Sequence, residues 1–314
     1  MALGRHGPLV MVGCIFLGLV VPPLATLFRP LLPVSVIVLL AVTVMRVERS
    51  GLNALAARPV PAAAAILWIL IATPALVGTA LYWSGFMAAY PVLTLSLVLL
   101  TTAPPIASSP AIALLIGLDH TLSMVMLLFA GLLIPLTTPL MSDLLLNQPL
   151  PIDAGELMMR LIVLIGSAGA LGLVGRGTLG MARIRRMGGV LDGISVIALI
   201  VFAFSIMDGI LARLLTDFIH VLRLAALAFA ANLVLLAITT VLFWWAGRRT
   251  AATIGFSTGN RNMALVISAL GTAVPGDTWL FFVLAQFPIY LLPAMLKPLY
   301  RRLLAREAME FGSR

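Results

Sequence analysis

A single cysteine, Cys14, stands in 314 residues, which excludes an internal disulfide and any cysteine-built metal cluster. Histidine is nearly as scarce, and His6, His120 and His220 are too scattered for their spacing to suggest a metal site. The shortage of charge decides the class. Only 10% of residues are Asp, Glu, Lys or Arg, against about 25% in globular domains, while 62% are hydrophobic and the mean hydropathy is +1.15. A water-soluble enzyme, a secreted disulfide scaffold and a disordered regulator are thereby excluded. The net charge of +9 would suit nucleic acid in a polar chain. In one this apolar it points to arginines beside lipid headgroups, so the expected partner is the bilayer and not nucleic acid. The composition predicts an all-α polytopic membrane protein with apolar residues for roughly ten spans of about 20.

Hydropathy places those spans at 8–28, 31–46, 60–82, 86–117, 120–142, 157–175, 188–210, 219–246, 250–273 and 278–297. The run from Pro8 to Phe28 is long enough to span, and no small-residue cleavage site follows it convincingly. It is therefore expected to be the first helix of a chain that begins at Met1. Connections are short, with 143–156 and 176–187 as loops. One side of the alternation receives Arg5, Arg46, Arg49, Arg58, Arg176, Arg183, Arg185, Arg186, Arg248, Arg249, Lys297, Arg301, Arg302, Arg306 and Arg314, which is 15 cations. The other receives four: Arg29, Arg160, Arg213 and Arg223. That asymmetry predicts both termini in the cytoplasm, and the expected location is a bacterial inner membrane.

Ten spans divide into a five-helix repeat over 1–142, a periplasmic linker over 143–156, an inverted second repeat over 157–300 and a cytoplasmic tail over 301–314. The fourth span of each half is interrupted, by Thr101-Thr102-Ala103-Pro104-Pro105-Ile106-Ala107-Ser108-Ser109-Pro110 and by Ser257-Thr258-Gly259-Asn260-Arg261-Asn262. Each half then continues into a helix with two prolines, Pro135 and Pro139 or Pro288 and Pro293. A single proline would be an ordinary kink. Matched interruptions in inverted halves instead point to a transporter site near the midplane, because unwound backbone cannot face lipid and must line a cavity or touch a ligand. The substrate-binding candidates are Ser108, Ser109, Pro110, Ser257, Thr258, Gly259, Asn260, Arg261 and Asn262. Gly166, Gly169, Gly172 and Gly175 are expected to form a helix-packing face, and Asp192 and Asp208 to be interfacial.

The stretches Gly259-Asn260-Arg261-Asn262-Met263-Ala264-Leu265, Ala103 to Pro110 and Leu122-Ser123 ahead of Pro135 resemble the bile acid:sodium symporter family, over roughly Pro8 to Tyr300. The resemblance implies a panel domain of the first, second, sixth and seventh helices and a core domain of the other six. It also implies crossing fourth and ninth helices and uptake of organic anions driven by two sodium ions. At the family's sodium positions this chain has Ile69, Ser109, Pro110, Ser123, Leu127, Ser257 and Arg261, of which only Ser109 and Ser123 match. Ser257 replaces a glutamate and Arg261 a glutamine.

All eleven acidic residues fall in loops, tails or near helix ends, leaving Arg261 as the only charge near the midplane. Its expected role is to cross-link the unwound backbone in a former sodium position, to pair with a substrate carboxylate, or both. The leading expectation is a secondary transporter of a small organic anion that works by alternating access without two-sodium coupling, with no cofactor and with sodium disfavoured. The alternatives are a sodium-coupled organic anion symporter and a non-transporting membrane sensor. A related-fold arsenite or auxin-type exporter is weaker, the arsenite version because no thiol lines the breaks. An intramembrane enzyme would need a nucleophile and base, or paired acids, at depth, and the sequence offers neither.

Overall fold

The computed structural model describes residues 17–47, 59–146 and 150–312. Arg5, His6, Cys14, Glu48, Arg49, Arg58 and the first part of the expected first span lie outside them. No strand occurs among the described residues. Along the chain, α1 (Pro22–Phe28) passes through a 3₁₀ turn (Arg29–Leu31) into α2 (Leu32–Met45). Helix α3 (Pro59–Leu67) passes through a π-helical turn (Trp68–Ala72) into α4 (Thr73–Trp83). There follow α5 (Phe86–Ala89), α6 (Pro91–Thr102), α7 (Ser109–Ile116) and α8 (His120–Leu145). The second half of the chain supplies α9 (Ala154–Arg186), α10 (Gly188–Ile206), α11 (Ile210–Thr216) and α12 (Phe218–Leu242). Last come α13 (Arg248–Gly259), α14 (Met263–Leu270) and α15 (Gly276–Gly312).

Seven of these helical runs are long and apolar enough to cross a membrane, so this is a multi-pass membrane protein. They correspond to the second, third, fifth, sixth, seventh, eighth and tenth expected spans. The fourth and ninth contribute shorter apolar helices, Pro91–Thr102 and Met263–Ala273, because both are interrupted.

Several expected boundaries are corrected. The loop expected between 28 and 31 is helical, and the interruption lies at Val21 (φ −119°, ψ 73°). Pro22 and Pro23 cannot donate to the preceding turn, so the helix restarts there. The expected loop at 176–187 is helical to Arg186 apart from Gly180, whose φ of 72° and ψ of 152° turn the chain. The last helix runs past 297 to Gly312. Only half of the expected glycine face packs. A Cβ on Gly172 would lie 2.7 Å from Val44 Cβ and one on Gly175 would meet Met45, whereas those on Gly166 and Gly169 would meet nothing within 4 Å.

The chain separates into two compact units. The first holds the described residues of Met1–Val47, Met159–Leu224 and Ala264–Val274. Within it α10 lies along α1 and α2 and is tied to them near both ends. Arg29 reaches Asp208 at 2.6 Å, with Thr26 donating to the same carboxylate, and Arg46 reaches Asp192 at 2.8 Å. The two aspartates expected to be interfacial are also ion-pair partners. Also in this unit, Arg160 donates to the Ala269 and Leu270 carbonyls at the C-terminal end of α14, where positive charge is favoured.

The second unit holds the described residues of Glu48–Met158, Ala225–Met263 and Pro275–Arg314. Part of its core is Ala113, Ile116 and Leu118 against Ala252, Phe256 and Tyr300. Asp119 caps α8, accepting from the backbone N–H groups of Thr121 and Leu122 at 3.0 and 3.1 Å. Pro135 and Pro139, and Pro288 and Pro293, lie inside α8 and α15. This unit contains both interruptions.

Candidate functional site

Both interruptions are narrower than the sequence suggested. Unwound backbone covers 103–108 and 260–262, so Thr101, Thr102, Ser109, Pro110, Ser257, Thr258 and Gly259 are helical. Helix α6 stops because Ala103 precedes Pro104 and takes extended backbone (φ −70°, ψ 152°), the conformation proline imposes on its predecessor. The two gaps meet as one turn of antiparallel bridge between Pro105 and Arg261. Ile106 N–H donates to the Asn260 carbonyl at 3.0 Å, and Asn262 N–H to the Pro104 carbonyl at 2.7 Å. Each gap thus satisfies part of the other's exposed backbone, as membrane depth requires.

Helix α13 reaches this point through close backbone contact with α12. A Cβ on Gly255 would lie 2.7 Å from the Leu236 carbonyl oxygen, and one on Gly259 2.9 Å from that of Asn232. The spacing Gly255-x-x-x-Gly259 is a small-residue seat for a neighbouring helix, a signal in the sequence that its polar neighbours mask.

Arg261 is fully buried, and its hydrogen-bond partners are carbonyl oxygens. Nε donates to Thr258 at 2.7 Å, and Nη1 donates to Ala103 at 2.8 Å and to Ile69 at 3.1 Å. Thr258 and Ala103 stand at the C-terminal ends of α13 and α6. Each helix C-terminus carries roughly −0.5 charge, so two converging on one guanidinium offset about one positive charge without a carboxylate. Three charge-assisted hydrogen bonds at roughly 1.5–3 kcal/mol each also outweigh the roughly 2.5–3.5 kcal/mol cost of arginine at membrane depth. Ile69 can accept because its turn is π-helical. Thr73 N–H bonds to Trp68, five residues back, and the next residue in that register, Pro74, has no N–H to offer Ile69.

Ser109, Ser123 and Ser257 converge as a closed triangle of hydroxyls with Oγ separations of 2.8, 3.3 and 3.3 Å, all three fully buried. Three O–H donors serve three sides, so the cluster satisfies itself. Buried Pro110 and Leu127 carry no side-chain oxygen. No group of three or more His, Cys, Asp or Glu that could hold a metal occurs among the described residues.

The remaining candidates divide by exposure. Ser108 and Asn262 are partly exposed, whereas Thr258, Gly259 and Asn260 are buried. Asn260 Nδ2 bonds back to the Phe256 carbonyl at 2.7 Å. The Thr258 Oγ1, Asn260 Oδ1 and Arg261 Nη2 atoms are buried without a hydrogen-bond partner, as are Thr73 Oγ1 and Asn232 Oδ1. Neither Thr73 nor Asn232 stands out in the sequence, where each is one polar residue in an apolar run.

No protein-family model matches the chain, and a search of curated proteins returns no match. The functional reading therefore rests on the residues and their geometry.

Proposed function

We propose that this protein is a secondary transporter of a small organic anion, working by alternating access and without two-sodium coupling. The observation that carries the reading is the junction of two interrupted apolar helices around a buried arginine. Broken helices in corresponding positions are where transporters of inverted-repeat design bind substrate. Partly exposed Ser108 and Asn262, beside the helix starts at Ser109 and Met263, supply hydrogen-bonding groups for an anion. The unpartnered Nη2 of Arg261 supplies positive charge that opening of the junction would uncover.

The grouping of residues supports a core-and-panel arrangement. The first unit takes most of the residues that the resemblance gives to the panel, with α14 in addition. The second takes most of those it gives to the core. The 15-to-4 distribution of cations supports cytoplasmic termini, and the membrane we propose is a bacterial inner membrane.

A second reading, sodium symport, draws on the convergence of Ser109, Ser123 and Ser257. It is disfavoured because the triangle is self-satisfied and the arginine brings repulsion. A sodium ion about 4 Å from a guanidinium is opposed by roughly 4 kcal/mol at an effective dielectric near 20. Flux of a panel of radiolabelled mono- and dicarboxylates into proteoliposomes, with sodium replaced by choline, tests the proposal. Flux unaffected by the replacement is expected. No flux of any anion under either condition would favour a non-transporting sensor.

A further inference from the structure

Eleven residues, Arg176 to Arg186, hold four arginines and no acidic residue. They form the last part of α9, and their side chains separate into two sets. Leu179, Met181 and Ile184 pack on Val42 and Leu191 within the first unit, with Ile184 only 3% exposed. Arg183, Arg185 and Arg186 are exposed. The turn at Gly180 makes this separation, since its positive φ redirects the last six residues back onto α2 and α10. Two further arginines hold the surrounding frame. Arg176 donates to the Val47 carbonyl, and Arg46 joins Asp192 and the Gly188 carbonyl.

Length sets the depth of this cluster. Ala154 to Leu179 is 26 residues, or about 39 Å of helix at about 1.5 Å per residue. The hydrocarbon of a bilayer is about 30 Å thick, and about 40–45 Å with headgroups. A helix that fills the hydrocarbon therefore delivers residues 181–186 to the headgroup layer, with Met181 and Ile184 turned to protein and the arginines outward.

We infer that Arg183, Arg185 and Arg186 form a docking surface for the phosphodiester headgroups of anionic phospholipids in the adjoining leaflet. Guanidinium is matched to phosphate oxygens by its paired donors. A basic cluster just outside a membrane helix gains about fivefold in preference for an anionic surface per cation, the equivalent of about 1 kcal/mol. The inference is independent of whether the protein transports anything.

The test uses the full-length protein in dodecyl maltoside micelles, titrated with phosphatidylglycerol or phosphatidylcholine and read by native mass spectrometry. Preferential binding of phosphatidylglycerol is expected. It should fall at least tenfold in the combined R183Q, R185Q and R186Q variant and survive in the corresponding lysine variant, which keeps the charge. Equal binding of the two lipids by the parent, or an unchanged preference in the glutamine variant, would overturn the inference. So would displacement of phosphatidylglycerol by millimolar inorganic phosphate, which would make the site one for free phosphate. Should the glutamine variant not fold, the parent at 1 M salt decides, because screening over about 3 Å should abolish the preference, and its persistence would refute the docking surface.

Discussion

The Ile69 carbonyl accepts from Nη1 of Arg261 at 3.1 Å, and Pro74 is what leaves it open. In the π register that ends with Thr73 N–H to Trp68, the Ile69 carbonyl would belong to residue 74, where proline has no proton to give. One side chain from the second interruption thus joins the C-terminal ends of α6 and α13 to the middle of the third span. A guanidinium suits this work because its donors are fixed in a plane and point to several acceptors at once.

Pro74 and Arg261 should therefore be energetically coupled. Arg261→Met removes donors from three carbonyls, each worth about 1–3 kcal/mol when buried and unpaired. Pro74→Ala restores an N–H that can serve Ile69 in the arginine's place. In a double-mutant cycle read by denaturation in mixed micelles, Arg261→Met should cost less in the Pro74→Ala background, by about 0.5–3 kcal/mol. Additivity of the two substitutions would mean that the Ile69 contact carries no weight.

Gly259→Leu should abolish flux while the protein still inserts and purifies. Its side chain would meet the Asn232 backbone 2.9 Å from its Cβ, and backbone cannot move aside as a flexible side chain can. Overpacking of this kind costs about 1–3 kcal/mol or more, and here it would push α13 and Arg261 away from the bridge with Pro105. Gly255→Leu should behave alike, since it faces the Leu236 carbonyl. Gly166→Leu, with open space around it, is the control. Unimpaired flux in Gly259→Leu would show that the junction is not the site.

Hydropathy located the seven helical runs that are long and apolar enough to cross a membrane, because that property belongs to about 20 residues at once. It placed the helix ends less well where a local effect competes. Arg29 reads as a loop residue by charge, yet its pairing with Asp208 lets it sit within a helical run. Gly180 reads as part of a loop and is instead a turn inside helical chain. Both interruptions were visible from Pro104, Pro105 and the Gly259-Asn260-Arg261-Asn262 run. Cross-linking of unwound backbone by Arg261 was expected, but which carbonyls it reaches was not legible, because backbone carbonyls carry no residue identity. Pro74 was the one trace of them in the sequence.

The two ion pairs of the first unit should differ in strength. Their arginines are 17 residues apart and their aspartates 16, so each pair sits about 25 Å from the other along the helices. The Asp208 side chain is 16% exposed and also accepts from Thr26, whereas that of Asp192 is 52% exposed. Asp192→Asn should cost no more than about 1 kcal/mol, as exposed pairs do, and Asp208→Asn clearly more in the same micelle denaturation. The reverse order would show that burial does not set the strength of these contacts.

Reporter fusions after Arg186 and Arg249 should read cytoplasmic, and one after Asp277 periplasmic. The arginine-rich ends are expected to hold the first two in the cytoplasm, and an interrupted ninth span made of α13 and α14 would carry the chain across to the third. A cytoplasmic reading at Asp277 would mean that the interrupted helix turns back without crossing, and the inverted repeat would fall with it.

Sodium should neither bind the parent protein nor drive its transport, and adding a carboxylate while removing the guanidinium should change that. In the parent, the hydroxyls of Ser109, Ser123 and Ser257 close on one another, and the charge that the second interruption buries is a guanidinium, not a carboxylate. Ser257→Glu would place an anion beside two hydroxyls, giving the hard oxygen donors that a small cation needs. Arg261→Gln would remove the repulsion of roughly 4 kcal/mol at about 4 Å and an effective dielectric near 20. The doubly substituted protein should be stabilised by sodium over potassium or choline in thermal unfolding, with a gain of about 2.7 kcal/mol once sodium reaches about a hundred times its dissociation constant. The parent should show no such difference. A tenfold or greater loss of anion binding on sodium removal from the parent, equivalent to about 1.4 kcal/mol, would restore the sodium-coupled reading, because a permanently held arginine would then not be standing in for the ion.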